Sequence, residues 1–241
     1  MIGIIGAMED EVNELISIMK TEAEASGETI DVKNIATMNF YIGKIKGKEI
    51  VLVHSGIGKV NAASTAQILI SVFNVDAIIN TGIAGSLNAK IDIGDIVLST
   101  DAMEHDIDMK FGMKKGDIQD QETSIYKADD NIREKAKKAF ENACKKENLA
   151  TKIYEGRILS GDQFIDEYEV KEELVSTFNG ICCEMEGAAI AHVAWLNNTP
   201  FLIVRSISDK ADGSLYMDYF ECKKIAIKNS VTLITELMSV L

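Results

Sequence analysis

The sequence predicts an α/β protein in which helices flank both faces of a mixed, mostly parallel and twisted β-sheet. This is a three-layer α/β/α arrangement, formed by a single domain over residues 1–241. Short apolar runs alternate with segments whose apolar residues recur at helical spacing, which indicates α/β packing. With 241 residues, 46% of them apolar, the chain can bury one large core. Glycines or acidic residues directly follow several apolar runs, so we expect functional groups at strand ends.

The elements themselves are predicted from period and from turn residues. An early β-hairpin turns at Lys46-Gly47-Lys48, and two polar segments, 21–35 and 114–128, are expected to be irregular. The single proline, Pro200, stands at the first position of a strand, where it is tolerated. The predicted strands cover residues 2–5, 39–45, 49–54, 76–80, 95–99, 154–159, 180–183 and 201–207. The predicted helices cover residues 9–19, 60–73, 129–147, 167–178, 187–195 and 215–241.

Two loops of small residues follow predicted strands, at 55–59 and 81–86. The first resembles a phosphate loop but lacks the Walker spacing, because Val60 stands where Ser or Thr should follow the lysine. No GxGxxG motif is present, so a dinucleotide cofactor is not indicated. The three histidines and four cysteines show no metal-ligand spacing, and we expect neither a metal nor another cofactor.

The net charge of −13 argues against nucleic acid or anionic lipid as a partner, since both are bound by basic surfaces. No apolar run approaches the ~20 residues that span a bilayer, and the first residues do not form a signal peptide. Adjacent Cys182 and Cys183 point to opposite sides of a strand and make a poor disulfide. We therefore expect a cytoplasmic protein with free thiols.

Carboxylates and one arginine are concentrated at the predicted strand ends. Glu184 and Glu186 lie in an otherwise apolar run, and Glu11 lies in the first turn of the first helix. Taken alone, each fits an ordinary helix-start acid. Arg205 lies inside an apolar strand, where it needs a buried anionic partner, and that strand leads to Ser208 and Asp209. If the strand ends meet at one edge of the sheet, the side chains form a pocket suited to glycoside cleavage, with one acid for the leaving group and one carboxylate for water.

Six motifs together resemble 5′-methylthioadenosine/S-adenosylhomocysteine nucleosidases, members of the purine nucleoside phosphorylase/hydrolase superfamily. The match covers nearly the whole chain in the family's order. The motifs are IIGAME (4–9), SGIGKV (55–60), NTG (80–82), SGD (160–162), EMEGAAIAHV (184–193) and RSISD (205–209). The resemblance implies the family's fold and hydrolysis of an adenine–ribose bond without phosphate, yielding adenine and a 5′-thioribose; 5′-deoxyadenosine is a further expected substrate.

The resemblance also implies a role for each matched residue. Asp209, assisted by Ser208, would protonate adenine N7, and Glu11, with Arg205 nearby, would activate the attacking water. Glu186 would hold the ribose hydroxyls, with Glu184 also at the substrate. Further substrate-binding positions are Met185 against the ribose, Phe164 and Ile165 at the purine, and Met8, Ile57 and Met217 around the 5′-alkylthio group. Met109 and Phe111 would come from the partner in a homodimer, whose segment 105–113 reaches the neighbouring active site.

Some positions depart from the family's pattern. Ile83 stands where well-known members carry Ser, and Met217 stands where Phe is usual. Three alternatives stay open. One is a hydrolase for aminodeoxyfutalosine, and another is a purine nucleoside phosphorylase, which would need arginines for phosphate that the first loop lacks. The third, from a different class, is a non-catalytic sensor of adenosine ligands, which could dispense with Glu11 and Asp209.

Overall fold

The computed structural model describes residues 1–110, 112–213 and 219–241. In these ranges, strands and helices alternate as the sequence predicts. The strands are β1 (Ile2–Gly6), β2 (Asp31–Ile35), β3 (Met38–Ile45), β4 (Lys48–His54), β5 (Ala77–Ser86), β6 (Ile96–Glu104), β7 (Tyr126–Lys127), β8 (Ile153–Ser160), β9 (Cys182–Glu184) and β10 (Phe201–Asp209). The helices are α1 (Glu9–Ser26), α2 (Lys59–Phe73), α3 (Asp130–Glu147), α4 (Tyr168–Phe178), α5 (Gly187–Leu196) and α6 (Tyr219–Met238).

The strands form one mixed sheet in the order β10-β6-β8-β9-β5-β1-β4-β3-β2, with β7 paired to β6. Strand β10 also pairs in parallel with β5, so β10, β6, β8, β9 and β5 close into a ring from which the other strands extend. Pairing is parallel between β1 and its neighbours β4 and β5, and between β8 and its neighbours β6 and β9. It is antiparallel in the β3–β4 hairpin that the sequence predicts.

Helices cover both faces of this sheet, which makes the layered α/β fold. Helix α6 packs against α1 and α3, while α2 packs against α5. The core is built from the strands themselves: β1 is buried at every position, and β10 is buried at every position except its last. Such strands are apolar on both faces because helices cover both sides. No helix within the described ranges has the length and apolar content to cross a bilayer.

Helix ends follow local chemistry. Asp129 accepts a hydrogen bond from the Ile132 amide (2.8 Å) and so caps α3, which is why that helix begins one residue after the predicted start. Helix α1 ends at Gly27, whose φ of 70° is the left-handed conformation that glycine adopts without strain.

Several predicted boundaries were wrong; among them, β10 ends at Asp209 rather than residue 207, and β7 lies within the predicted irregular segment 114–128. Residues 21–35 are not irregular, since α1 continues to Ser26 and β2 follows. The predicted loop 81–86 is the second half of β5, because its small residues pair with β10 on one side and β9 on the other. Strand β6 runs to Glu104 rather than residue 99, because β8 pairs along its full length.

Candidate active site

A cavity of about 190 Å³ opens where the carboxyl ends of β1, β8, β9 and β10 meet the carboxyl-terminal half of β5. It collects side chains that are far apart in the sequence, as the strand-end argument predicts. The lining residues are Ala7, Met8, Glu11, Ile57, Ile83, Ala84, Gly85, Gln163, Phe164, Ile165, Cys183, Glu184, Met185, Glu186, Arg205, Ser208 and Asp209.

Glu11 enters the cavity from the first turn of α1 and is 3% exposed. Its Oε2 accepts the Met8 amide at 3.3 Å, and its Oε1 accepts the Ile83 amide at 3.1 Å. Burial raises the pKa of this carboxyl, although the charge of Arg205 and the backbone donors act in the opposite direction. A carboxylate with raised pKa is a better proton acceptor than an exposed one, which suits a general base.

Arg205 is the largest fully buried side chain of the described residues, and it contacts several polar side chains of the site. Its Nη2 donates to Asn80 Oδ1 (2.5 Å) and to Glu184 Oε2, and lies 3.7 Å from Glu186 Oε2. The guanidinium passes directly over Gly82, where a Cβ atom would lie 1.9 Å from Nη1. The arginine that the sequence places in an apolar strand therefore has the buried anionic partners it requires.

Glu184 lines the cavity, but donors within the protein occupy both of its oxygens. The Gly187 amide donates to Oε2 at 2.8 Å and to Oε1 at 3.0 Å, and the Glu186 amide donates to Oε2 at 3.0 Å. Ser160 Oγ and Arg205 supply the remaining bonds. Glu184 thus caps the start of α5 and fixes Arg205, and each of its oxygens already accepts at least two hydrogen bonds from the protein.

Glu186 is less fully engaged than Glu184. Its Oε1 accepts the Gly58 amide at 2.9 Å, while Oε2 has Arg205 at 3.7 Å. Burial, and then the negative charge of Glu184, raise the pKa of Glu186 to about 7. Within the described ranges no donor lies close to Oε2, so this oxygen is placed to take a hydrogen bond from a ligand hydroxyl.

Asp209 is the last residue of β10, and the register of β10 against β5 shifts between Ile207 and Asp209. Such a bulge turns a side chain away from its regular direction. The Asp209 carboxyl accepts Ser208 Oγ on Oδ2 (2.8 Å) and the Ala211 amide on Oδ1 (2.9 Å). These two bonds fix its orientation at the cavity wall.

The rest of the cavity wall is apolar. Met8 and Ile57 come from the loops after β1 and β4, and Met185 precedes α5. Phe164 and Ile165 come from the loop after β8; Phe164 is 65% exposed, whereas Ile165 is buried. An apolar wall around a few convergent polar groups is typical of a small-molecule site.

The family model of the phosphorylase superfamily matches residues 1–239. The chain belongs to this superfamily. A curated relative from Halalkalibacterium halodurans, a 5′-methylthioadenosine/S-adenosylhomocysteine nucleosidase, is 40% identical over 97% of this chain and 95% of its own length. That identity places the chain within the nucleosidase family of the superfamily.

Solved structures of superfamily members agree with the fold. The 5′-methylthioadenosine/S-adenosylhomocysteine nucleosidase from Neisseria meningitidis, in complex with methylthio-immucillin-A, has a TM-score of 0.88 and 33% identity, covering 100% of this chain and 99% of that one. A futalosine hydrolase of Helicobacter pylori has the same TM-score of 0.88 with 29% identity, covering 100% and 97%. The fold is thus shared by family members with more than one nucleoside substrate.

The family resemblance also assigns Met109, Phe111 and Met217 to the site. Met109 does not line the cavity; this side chain is 38% exposed, and its Sδ accepts the Gln119 amide at 3.4 Å. Phe111 and Met217 lie outside the described residues. The assignment of Met109 and Phe111 was to a neighbouring subunit, which a single chain does not test.

Sequence reasoning missed several residues that build this superfamily site. Asn80 anchors Arg205 and also donates to the Ile5 carbonyl (3.0 Å). Ser160 donates to Glu184 and accepts the Ala188 amide (2.6 Å). The detectable signal was a polar residue inside or ending a buried apolar strand, because such a group needs an internal partner.

Proposed function

We propose that this protein hydrolyses the N-glycosidic bond of 5′-methylthioadenosine and S-adenosylhomocysteine, releasing adenine and the corresponding 5′-thioribose. The observation that carries the proposal is that Glu11 and Asp209 share one cavity with Arg205 and Glu186, in a chain that belongs to this family. Membership at 40% identity over nearly the full length supports the same reaction. We propose that 5′-deoxyadenosine is also accepted, and that the reaction serves methionine salvage and removal of S-adenosylhomocysteine.

The leaving group is handled by Asp209. When the bond from C1′ of the ribose to N9 breaks, its electron pair goes to the purine, which therefore needs a proton. Protonated Asp209 would supply that proton to N7, while Ser208 Oγ, 2.8 Å from Oδ2, fixes the orientation of the carboxyl. Phe164 and Ile165 would hold the base in place through stacking and through the Ile165 backbone.

The water is handled by Glu11. As the glycosidic bond breaks, positive charge develops on the ribose, and water attacks C1′. Ionised Glu11 would take the proton that this water loses, and its two backbone hydrogen bonds hold it in one orientation. Glu186 would accept hydrogen bonds from the ribose hydroxyls and stabilise the developing charge, with Arg205 setting its position. Met185 would pack on the ribose, and Met8, Ile57 and Met217 would surround the 5′-thio group.

The first test is incubation with 5′-methylthioadenosine in phosphate-free buffer. We expect free adenine and a reducing sugar in equal amounts. Release that requires phosphate would replace the proposal with a phosphorylase, and binding without release would indicate a sensor. Because a futalosine hydrolase shares the fold at a TM-score of 0.88, aminodeoxyfutalosine is assayed in parallel. A higher kcat/KM for that substrate would overturn the substrate assignment while keeping the reaction.

The second test addresses the two catalytic residues. Glu11→Gln and Asp209→Asn are each expected to lower kcat by about 10²–10⁴-fold, because each removes one positioned proton-transfer group. Circular dichroism should show an unchanged fold, since both replacements are close to isosteric. Glu14→Gln, on the exposed face of α1, is the matched control and should keep full activity. Near-normal turnover of either site variant would remove that residue from the mechanism.

We further propose that residues 1–241 form one domain, that it acts as a homodimer, and that segment 105–113 reaches the neighbouring site. Exposed apolar side chains near the cavity, Ile57 and Phe164, support an additional covering surface. Four free cysteines and bacterial relatives support a cytoplasmic location.

A further inference from the structure

A largely buried ion-pair cluster lies beside the cavity without lining it. The Nζ atom of Lys59 lies 2.9 Å from Glu104 Oε2 and 2.6 Å from Asp106 Oδ1. The three side chains are 17%, 10% and 16% exposed, respectively. We call these residues, with Asp162, the Lys59 cluster. None of its members appears in the cavity lining, and the mechanism above uses none of them.

Backbone amides also donate hydrogen bonds to side chains of the cluster. Lys59, Asp162 and Asp106 thereby form a closed ring of contacts, which we call the circuit. The Lys59 amide donates to Asp162 Oδ1 at 2.8 Å, and the Asp162 amide donates to Asp106 Oδ2 at 2.9 Å. Lys59 is the first residue of α2, directly after the loop that follows β4; Asp106 lies in the loop after β6 and Asp162 in the loop after β8. The cluster therefore joins the chain after β4 to the loops after β6 and β8; β4 does not pair with either of those strands, whereas β6 and β8 pair with each other.

Two of these loops also carry groups that face the cavity. The loop after β4 carries Ile57 and the Gly58 amide, which donates to Glu186. The loop after β8 carries Phe164 and Ile165. Contact between these two loops is close, since a Cβ atom on Gly58 would lie 3.0 Å from Asp162 Oδ1. A shift of the cluster would thus move the ribose and purine walls of the cavity together.

The cluster is held by charge rather than by packing alone. Burial by itself would raise the pKa values of Glu104 and Asp106, but their hydrogen bonds outweigh it, and both pKa values lie below the usual range. The donors are His192 and Lys59 for Glu104, and Lys59 and the Asp162 amide for Asp106. His192 Nδ1 lies 3.1 Å from Glu104 Oε1, and its ring stacks on Tyr126 at 4.6 Å. His192 therefore fixes Glu104, and the Lys59–Glu104 ion pair in turn holds Lys59 and the loops bound to it in place.

We propose that Lys59 and Asp106 are positioning residues that set substrate affinity by holding the ribose and purine walls of the cavity in register. The proposal rests on the proposed function for its kinetic consequence, but the coupling of the loops is independent of the reaction. Glu11 and Asp209 stand on α1 and β10, outside the circuit. Loss of the circuit should therefore weaken binding more than it slows the chemical step.

The main variant is Asp106→Ala, which cuts the circuit but leaves Lys59 paired with Glu104, so no buried charge loses its only partner. We expect KM for 5′-methylthioadenosine to rise about tenfold, less than the ~10²-fold that a 1 Å displacement can cost, while kcat stays within about threefold. Asp106→Asn keeps only one of the two acceptor oxygens that bind Lys59 and the Asp162 amide, so it should recover part of the loss. Lys44→Met, which removes the exposed Lys44–Glu28 ion pair, is the matched control and should leave KM unchanged.

Hydrogen exchange provides a readout that does not depend on the reaction. In Asp106→Ala the amides of Gly58 and Lys59 keep their own acceptors, Glu186 and Asp162. Faster exchange at these two amides would therefore report the loosened circuit rather than a deleted bond. A double-mutant cycle with Lys59→Met should be strongly non-additive in KM, because both changes break the same circuit.

The outcomes separate this proposal from the proposed function. If the unmodified protein releases no adenine, the proposed function fails, and the exchange measurement still decides the coupling. Unchanged exchange at Gly58 and Lys59 would overturn the positioning role. If the unmodified protein is active and Asp106→Ala keeps its KM, or loses kcat alone, the role in substrate affinity is also wrong.

Discussion

Three carboxylates, Glu11, Glu184 and Glu186, surround one buried guanidinium, that of Arg205. If all three were ionised, the group would carry net negative charge out of contact with water, which is unfavourable. Because the pKa of Glu186 is raised to about 7, protonation of this carboxyl reduces the excess negative charge. The causes of this raised pKa are burial first and the charge of Glu184 second. At the scale of single residues, the site is thus built to hold one carboxyl close to half-protonated near neutral pH.

This titration has a consequence for stability. The pKa of Glu186 is higher in the folded chain than the ordinary 4.5, so the folded state binds more protons between these values. The stability that this group contributes is fully present below about pH 4.5 and is lost as pH rises through about 7. Glu186→Gln is neutral at every pH and does not lose this contribution. Between pH 5 and pH 8, its unfolding free energy should therefore rise relative to that of the unmodified protein by on the order of 1–3 kcal/mol.

Chemical unfolding at pH 5 and at pH 8 measures that gain. Glu24→Gln, exposed on α1, is the control and should show no comparable change between the two pH values. A difference between Glu186→Gln and the unmodified protein that is the same at both pH values would contradict the assignment. Residue roles of this kind depend on contacts rather than residue type, since Glu184 and Glu186 are two positions apart in the sequence and differ in their partners.

At the scale of elements, the site depends on how closely β5 and β10 approach. Arg205 on β10 pairs in register with Gly82 on β5. Its guanidinium occupies the space where a side chain of residue 82 would begin, and Glu11 Oε1 would lie 3.2 Å from the same Cβ. Glycine is required here for space, and this is why β5 carries small residues through what the sequence suggests is a loop.

Gly82→Ala should therefore displace Arg205 from Asn80 and Glu184. We expect a loss of roughly 2–4 kcal/mol in unfolding free energy, because buried charges lose their partners. The kcat should fall at least about 10²-fold, since both Glu186 and Glu11 lie against the same guanidinium. Thermal unfolding and the adenine-release assay measure the two effects.

Gly43→Ala is the matched control on another strand. The new Cβ would meet the Met19 Cε at 2.9 Å, the far end of a flexible side chain, and the Ile30 Cγ1 at 3.5 Å, an ordinary van der Waals distance. This variant should lose less than about 1 kcal/mol and keep its activity. If Gly82→Ala behaves like the control, Arg205 has more freedom to move than its buried contacts indicate.

At the scale of the whole molecule, the proposed homodimer predicts complementation between two impaired variants. Glu11→Gln lacks the base in its own site, while a Met109→Ala/Phe111→Ala variant lacks the residues given to its neighbour. In a mixed dimer, one site combines an intact Glu11 with intact residues from the partner. Statistical mixing of equal amounts should therefore restore about a quarter of the unmodified activity.

Mixing after partial unfolding and refolding, followed by the adenine-release assay, measures this restoration. Light scattering of the unmodified protein should give twice the mass of one chain. A mixture no more active than the sum of its components would show that segment 105–113 does not reach a neighbouring site. A monomer in solution would contradict the dimer itself.

The sequence by itself determined the alternation of strands and helices, since apolar period and turn residues act locally. It also determined the family, because the six motifs occur together in order. In addition, it indicated that acidic residues gather near one edge of the sheet. It predicted the β3–β4 hairpin and the start of α1 correctly.

Tertiary structure alone decided how those residues divide the work. Whether a carboxylate caps a helix, as Glu184 does, or keeps an oxygen open to the cavity, as Glu186 does, depends on donors from β8, β10 and the loop after β4. The length of β5 depends on its pairing with β9 and β10, and the Lys59 cluster depends on partners between 45 and 103 positions away in the chain. Hydrogen bonds and burial are set by neighbours in space, and one sequence read along its length does not contain them.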